Sequence, residues 1–230
     1  MFKSGKPEKG SSKLYDGHIT ATIPYYQAFN EEIVNLVRAA CREPVLWLDT
    51  GCGTANLVAQ AAKVFPRTRF MLADPSAEML QEAKQKMQNE AVVNYQVLAP
   101  CGTQEISLPQ GESPDVISAV LSHHYLDKQG RKNATERCFR LLTGGGLYIT
   151  FENIRPLSGD GTEIGLANWQ RFQIGRGKPA EAATSHIKRF GIEYFPITME
   201  EHLSLLKKTG FKTVELLWFS YLQAGFYAIK

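Results

Sequence analysis

Short apolar runs alternate with segments of helical periodicity along most of this chain. The apolar runs fall at residues 45–48, 69–73, 92–98, 116–121 and 147–151. Runs that are apolar throughout are typical of strands buried on both faces. Strands that alternate with helices predict an α/β fold, in which a doubly wound, mostly parallel sheet has right-handed crossovers.

The end of the chain predicts a different strand arrangement. Thr198 and Glu201 form a capping box at the start of a helix, and Gly210 ends that helix. Residues 211–218 and 221–229 then read as two strands, joined so closely that they must be antiparallel neighbours. We therefore expect an antiparallel C-terminal strand in the sheet.

Two segments outside the alternating pattern are predicted to cover one edge of the sheet. A helix with Pro24 in its first turn precedes the first strand and can cap a site there. Residues 152–196 lose the pattern and have helical character only around Trp169 and at 181–188. Long insertions of this kind are usually lids or substrate-recognition elements, so we predict a helical lid. Its excess of basic residues suits either an anionic substrate or a solvated surface.

The first strand is followed by Asp49, two glycines (Gly51 and Gly53) and a helix-compatible segment. Such a turn places backbone N–H groups and a helix N-terminus at the carboxyl edge of the sheet, where α/β folds bind nucleotide-like ligands. The second strand ends at Asp74, whose carboxylate could accept hydrogen bonds from ribose hydroxyls or cap the next helix. A dinucleotide fingerprint requires a third glycine, but Asn56 stands at that position.

Four segments carry a resemblance to the class I S-adenosylmethionine (SAM)-dependent methyltransferases, which have a Rossmann-like fold. They are L-D-T-G-C-G-T-A-N-L (48–57), F-M-L-A-D-P-S-A-E-M-L (70–80), D-V-I-S-A-V-L-S-H-H-Y-L (115–126) and R-L-L-T-G-G-G-L-Y-I-T (140–150). The I-P-Y-Y segment at 23–26 and the last 21 residues also look like a subgroup of small methyltransferases. That subgroup includes the enzyme that transfers a carboxymethyl group to tRNA wobble uridine.

The resemblance implies SAM as cofactor, with S-adenosylhomocysteine (SAH) as its product. It implies that the glycine turn contacts the methionine moiety, that Asp49 orders the turn or binds the amino group, and that Asp74 holds the ribose. The family usually has an acid after the third strand, whereas this chain has Pro100 to Thr103, which leaves adenine to backbone groups or Thr103. The implied cofactor-binding residues are Tyr26, Asp49, Gly51, Cys52, Gly53, Asp74, Pro75, Met79, Cys101, Gly102, Thr103 and Leu121.

Two histidines follow the fourth strand, where the resemblance places the transferable methyl group. A histidine with a pKa near neutrality could take the proton of an acceptor. Adjacent side chains diverge in an extended segment, so we expect only one ring to face the pocket and favour His124 over His123. The alternative is a histidine that bonds backbone at the end of a strand. The pair is not predicted to bind a metal, because a third ligand at suitable spacing is missing.

Composition limits the class of partner. The net charge of +3 resides in residues 1–13, which we interpret as a disordered tail before a single domain at 14–230. The neutral remainder gives no electrostatic support for nucleic-acid binding. The four cysteines have no paired spacing, no apolar run is long enough to span a bilayer, and no signal peptide is recognisable, so we predict a cytoplasmic protein without membrane contact.

These observations predict a SAM-dependent methyltransferase that acts on a small-molecule acceptor, as a monomer or homodimer. Three alternatives stay open: a tRNA-modifying enzyme that uses SAM, a SAM-binding module without turnover, and, at the level of the fold, a nicotinamide-dependent oxidoreductase. A nucleic-acid partner is compatible with the sequence but not favoured.

Overall fold

The structure is a computed structural model that describes residues 17, 19–41 and 43–230. The predicted tail at 1–13 lies outside the described residues. Seven strands form one sheet: β1 (Leu46–Thr50), β2 (Arg69–Ala73), β3 (Tyr95–Val97), β4 (Val116–Val120), β5 (Leu147–Asn153), β6 (Thr213–Ser220) and β7 (Gln223–Ile229).

The strand order is β3-β2-β1-β4-β5-β7-β6. The pairs from β3 to β5 are parallel, whereas β7 runs antiparallel to both β5 and β6. This confirms the predicted doubly wound sheet with its antiparallel C-terminal hairpin. The order reverses between β1 and β4, and open α/β sheets bind ligands in the crevice that such a reversal leaves at the carboxyl ends of the strands.

Helices cover both faces of the sheet. They are α1 (Tyr26–Cys41), α2 (Asn56–Val64), α3 (Ala77–Asn89), α4 (Lys128–Leu141), α5 (Gly159–Gly175), α6 (Ala180–Ile187) and α7 (Met199–Thr209). Among them, no helix of the described chain has the length and apolar character needed to cross a membrane.

Alternate residues of each central strand enter separate apolar cores. In β1, Trp47 packs into the core beneath α1, α2 and α3, while Leu48 packs into the core beneath α4 and α7. Because both faces are covered, β1 is apolar at successive positions, which explains the continuous run read from the sequence. In the first core, the ring of Phe29 on α1 stacks on that of Phe151 on β5, with centroids 4.7 Å apart.

Three local predictions need correction. β3 is a short edge strand of three residues rather than the predicted seven. β5 continues to Asn153, so Glu152 is a buried strand residue and not the start of the insertion. The segment from His123 to Tyr125 is a 3₁₀ turn, not extended chain. The backbone breaks there because Leu121, directly after β4, adopts a left-handed conformation with φ 53°.

Candidate functional site

The glycine turn after β1 needs glycine at both positions, but for different reasons. Gly51 has φ +64°, and a methyl group in place of its hydrogen would overlap Cβ of Ser122. Gly53 has φ +52° and nothing within 4 Å of the position a Cβ would take. The first glycine lets the turn pack against the end of β4, and the second leaves the turn open towards the crevice.

Asp74, at the end of β2, is bonded to the glycine turn. Its two carboxylate oxygens accept hydrogen bonds from the backbone N–H groups of Gly53 at 2.9 Å and Ser76 at 2.8 Å. Ser76 caps α3 with its own hydroxyl, which accepts from the Met79 N–H at 3.2 Å. Burial raises the pKa of Asp74. Each carboxylate oxygen has a second lone pair, so these bonds leave Asp74 able to accept from a ligand.

Asp49 ties β1 to β4 across the point where the strand order reverses. The Ser118 hydroxyl donates to Asp49 at 2.5 Å, and the Trp47 indole N–H donates to the Ser118 hydroxyl at 2.8 Å. Burial raises the pKa of the Asp49 carboxyl to about 7, although the bond from Ser118 lowers it. The side-chain contact is therefore to β4, behind the glycine turn.

The segment after β3 closes the same edge. The N–H of Cys101 donates to the Asp74 carbonyl at 3.2 Å. The Thr103 hydroxyl is buried, 2.7 Å from the hydroxyl of Thr50 and 3.1 Å from Nε2 of His123. Two side chains thus already engage Thr103, which leaves the backbone of the 101–102 segment as the more accessible part of this wall.

Tyr26 stands across the turn at the start of α1. Its hydroxyl accepts a hydrogen bond from the Asn56 amide at 3.4 Å, and its ring meets that of Phe29 edge-on. Asn56 is the first residue of α2 and also accepts a bond from Lys86. The tyrosine therefore reaches the N-terminus of the helix that follows the glycine turn.

A buried carboxylate organises the turn that carries the two histidines. Glu152 accepts hydrogen bonds from the backbone N–H groups of His123 at 3.1 Å and His124 at 2.9 Å, and from the Thr150 hydroxyl at 2.9 Å. Its Oε2 also lies 2.7 Å from Nδ1 of His124. Although burial raises the pKa of Glu152, the hydrogen bond from His124 and the nearby histidines lower it to about 2. Glu152 is therefore ionised at neutral pH.

This carboxylate fixes the tautomer of His124. Nδ1 faces an acceptor-only group and must carry the proton, so Nε2 is left as the acceptor of the neutral ring. The Asn153 amide nitrogen lies 3.3 Å from that Nε2. Gln223 donates to the Asn153 oxygen at 2.9 Å, which turns the amide nitrogen towards the histidine. His124 is thus oriented from both sides.

His123 has a different environment. Its Nε2 meets Thr103 and its Nδ1 lies 3.3 Å from the Tyr148 hydroxyl. Burial lowers the pKa of His123 to about 4, so the ring is neutral at physiological pH. The two rings do have separate surroundings, as expected, but in a 3₁₀ turn with both residues buried. We call His123, His124, Thr150, Glu152 and Asn153 the histidine cluster.

Comparison with known proteins decides the family. A family model described as "Methyltransferase domain" matches residues 48–146, which span the glycine turn, Asp74 and both histidines. The antiparallel β7, which pairs with β5, agrees with the antiparallel C-terminal strand expected from the sequence. Residues 48–146 therefore match a methyltransferase domain, in agreement with the predicted SAM-dependent methyltransferase.

Similar proteins extend the match beyond that region. The carboxy-S-adenosyl-L-methionine synthase of Trichodesmium erythraeum is 22% identical over 206 residues, which cover 89% of this chain and 80% of that protein. A plantazolicin methyltransferase solved with a triazolic desmethylPZN analog and SAH has a TM-score of 0.70 at 15% identity, covering 95% of this chain and 90% of that one. An O-methyltransferase family protein from Burkholderia thailandensis has a TM-score of 0.61 at 12% identity. The alignment covers 89% of this methyltransferase but only 59% of that longer chain.

The segment between β5 and α7 meets the histidine cluster through aromatic rings. Tyr194 lies edge-on to His124, with centroids 5.6 Å apart, and Tyr125 lies edge-on to Tyr194. The guanidinium of Arg189 lies over the Tyr194 ring at 4.7 Å. On α6, His186 packs against Trp169, and burial, with help from Lys178 and Arg189, lowers its pKa to about 3.

Sequence reasoning placed the predicted residues of the methyltransferase at one sheet edge but missed Glu152. It assigned this acid to the polar insertion, although it directly follows the apolar run at 147–151. An acid that extends an apolar strand is a candidate buried charge, because such a position is covered on both faces. That signal was present in the sequence.

Proposed function

We propose that this methyltransferase transfers the methyl group of SAM to a small-molecule acceptor, with His124 as the general base. The observation that carries the proposal is the pair of His124 and the ionised Glu152, which stands at the sheet edge that also carries the glycine turn. SAM supplies an electrophilic methyl group on a sulfonium that is a good leaving group.

The residues at this edge fit the cofactor. The open side of Gly53 gives a ligand access to backbone, and Asp74 keeps free lone pairs beside it. Pro75 is exposed and Met79 half-buried, so both can flank an adenine ring, with the backbone of Cys101 and Gly102 opposite. Leu121 offers backbone from a left-handed residue, a conformation that costs roughly 1–2 kcal/mol and is typical of functional sites. Tyr26 and Asn56 would enclose the amino-acid end.

His124 would take the acceptor proton at Nε2. An acceptor hydroxyl or amine would replace the long bond from Asn153 at this nitrogen, and the imidazolium formed would be stabilised by Glu152. Positioned general bases contribute roughly 10²–10⁴ in rate. Alignment of the acceptor can supply roughly 7–11 kcal/mol of barrier lowering. Tyr125 and Tyr194 would exclude water from this side.

Transfer can be tested by incubating the protein with methyl-labelled SAM and fractionated cell extract. We expect label in a small-molecule fraction and formation of SAH in equal amount. Label in the RNA fraction would support RNA modification instead. Binding of SAH without transfer to any fraction would support a SAM-binding module, and stabilisation by NADH but not by SAH would overturn the cofactor assignment.

A second candidate is synthesis of a carboxylated SAM. The observation that favours it is the similarity to a carboxy-SAM synthase along most of both chains, at 22% identity. Mass spectrometry of the nucleoside products separates the two reactions. Methyl transfer releases SAH, whereas the second reaction replaces one hydrogen of SAM with a carboxyl group from a carboxylate donor, so its product is heavier than SAM by the mass of CO2.

We also infer that the protein acts in the cytoplasm. The inference is supported by four free cysteines, none of which is paired in a disulfide among the described residues.

A further inference from the structure

A cavity of about 280 Å³ lies outside the site described above. Its wall is the segment 190–197, and the opposite face of that segment holds the histidine turn, because the Phe195 N–H donates to the His124 carbonyl at 2.7 Å. The volume falls just below the usual range for small-molecule pockets, so the cavity suits a compact ligand. The residues that line it are Lys128, Arg131, Arg155, Phe190, Gly191, Phe195, Pro196 and Ile197.

Three cations converge on this cavity from two parts of the fold. Lys128 and Arg131 come from the first turn of α4, and Arg155 follows β5. Arg155 pairs with Glu201 at 3.0 Å, and both side chains of that pair are about half exposed. Lys128 is exposed and forms no ion pair with any residue in the described ranges. Of these three cations, only Arg155 is paired with a carboxylate within the described residues.

Arg131 is the least satisfied of the three. The residue is 3% exposed, and one of its terminal nitrogens donates to the Phe195 carbonyl. Its Nε is buried and has no hydrogen-bond partner within the described chain. Glu152, Glu201 and Asp127 act on it electrostatically, but none of them forms a direct ion pair with it. A buried guanidinium without a direct carboxylate partner is costly, and an anion in the adjacent cavity would offset part of that cost through its charge.

The remaining surface of the cavity is apolar. Phe190, Phe195, Pro196 and Ile197 present side chains that would contact the body of a ligand rather than its charge. An inorganic anion would not cover these apolar side chains, which would stay in contact with water. The cavity therefore matches a molecule with a charged group at one end and an apolar frame at the other.

We propose that this cavity is a second ligand site, which binds a small organic anion through Lys128, Arg131 and Arg155. The charged group is a carboxylate or a phosphate, both of which match a guanidinium. The proposal does not depend on methyl transfer, because the cavity is separated from the glycine turn by the segment 190–197 and the histidine turn.

The test is calorimetric titration of the full-length protein at low salt with four probes: phenyl phosphate, phenylacetate, inorganic phosphate and neutral 2-phenylethanol. We expect at least one aromatic anion to bind about tenfold or more tightly than both inorganic phosphate and 2-phenylethanol, and more weakly at high salt. The stronger of the two aromatic anions identifies the charged group. Equal binding of 2-phenylethanol, or no binding of either aromatic anion, would overturn the proposal.

Variants place the bound probe. Lys128→Ala and Arg155→Ala remove exposed or half-exposed charges, and we expect each to weaken binding about three- to tenfold. Arg140→Ala is the matched control, because Arg140 is an exposed cation near the other end of the same helix. This variant should bind the probe with unchanged affinity. Binding should also persist with saturating SAH. Loss of binding with SAH, or equal affinity in all three variants and the unaltered protein, would place the anion elsewhere and contradict the proposal.

Discussion

The glycine turn and the histidine cluster meet at one edge of the sheet but are assembled in different ways. The glycine turn and its neighbours come from three short stretches, each directly after a strand, and they act largely through backbone groups. The histidine cluster joins a turn after β4 to the end of β5 by a carboxylate 28 residues away. Sequence spacing reveals a site that relies on local backbone geometry, but it does not reveal one that relies on a long-range hydrogen bond between side chains.

The largest expected effect is a loss of stability at acidic pH, which comes from buried histidines. Burial lowers the pKa of His123 and His202 to about 4 and that of His186 to about 3, all on the histidine side of the molecule. Unfolded histidines bind protons near pH 6.5, so between pH 6.5 and about 4 the unfolded chain holds more protons and stability falls as pH falls. Asp49, with its pKa raised to about 7, opposes this by one proton. With three protons from the histidines and one opposing proton from Asp49, the slope is at most about 3 kcal/mol per pH unit, and the raised pKa of Asp74 reduces it further.

Urea unfolding at pH 7.5 and pH 5 measures this slope. His202→Leu removes one of the three histidines, whose ring stacks on Phe226, and should flatten the pH dependence by one proton. Equal unfolding midpoints at both pH values would show that the histidines are not held neutral. Below pH 4.5, protonation of Glu152 in the unfolded chain should reduce stability further, because its pKa in the folded protein is about 2.

The next largest effect separates the two histidines. We expect His124→Ala to lower kcat by about 10²–10⁴ while the Kd for SAH stays the same, because the residue acts on the acceptor and not on the cofactor. His123→Asn should instead reduce the free energy of unfolding and leave kcat within a few fold. If both variants have the same kcat, His124 has no role as a base.

Glu152→Gln tests the link between the two. The amide keeps the shape of the side chain but loses the charge. Its NH2 group would also face the donors that now bind the carboxylate. The amide oxygen replaces only one of the two carboxylate oxygens, so at least one buried donor among the His123 and His124 N–H groups and the Thr150 hydroxyl loses its acceptor, and chemical denaturation should show a loss of about 1–3 kcal/mol. Glu152→Gln should lower kcat, as His124→Ala does. The double variant should have a kcat no lower than that of the slower single variant. Additive losses in kcat would contradict a shared role.

The two glycines provide the sharpest test of the turn. Gly51→Ala should lower the free energy of unfolding by about 2–4 kcal/mol, because the methyl group overlaps Ser122 and the residue has positive φ. Gly53→Ala should cost only about 1–2 kcal/mol, since its surroundings are open. Both should bind SAH more weakly in calorimetry. Undiminished binding by Gly53→Ala would show that the open side does not face the ligand.

The smallest expected change comes from Asp74→Asn. Its remaining side-chain oxygen can accept from Gly53 or Ser76 but not from both in the same way. We expect SAH to bind about tenfold more weakly while the fold survives, and Asp74→Ala to bind more weakly still. Glu78→Gln, in the first turn of α3 and exposed, is the control for charge alone. Unchanged affinity in both Asp74 variants would assign this residue to the turn and the helix start only.

Much of the fold could be read from the sequence because each central strand is apolar on both faces and each is followed by a turn or helix signal. β3 was predicted too long because it lies at the edge of the sheet and pairs only with β2. The apolar residues on either side of it therefore need not continue the strand. The lid helices were only partly visible, since α5 begins with Gly159 and Gly161 and buries little besides Trp169 and Gln173. The bond between His124 and Glu152 depends on how β5 continues past its parallel neighbour, which no local pattern encodes.

The hydrogen bonds from Trp47 to Ser118 and from Ser118 to Asp49 carry a last consequence. The indole is fully buried and its N–H ends a short chain whose other end is a carboxyl with a pKa of about 7. A change in the proton on Asp49 alters the electric field along the indole, which shifts its emission wavelength. The fluorescence of Trp47 thus reports the charge state of Asp49 without an added dye.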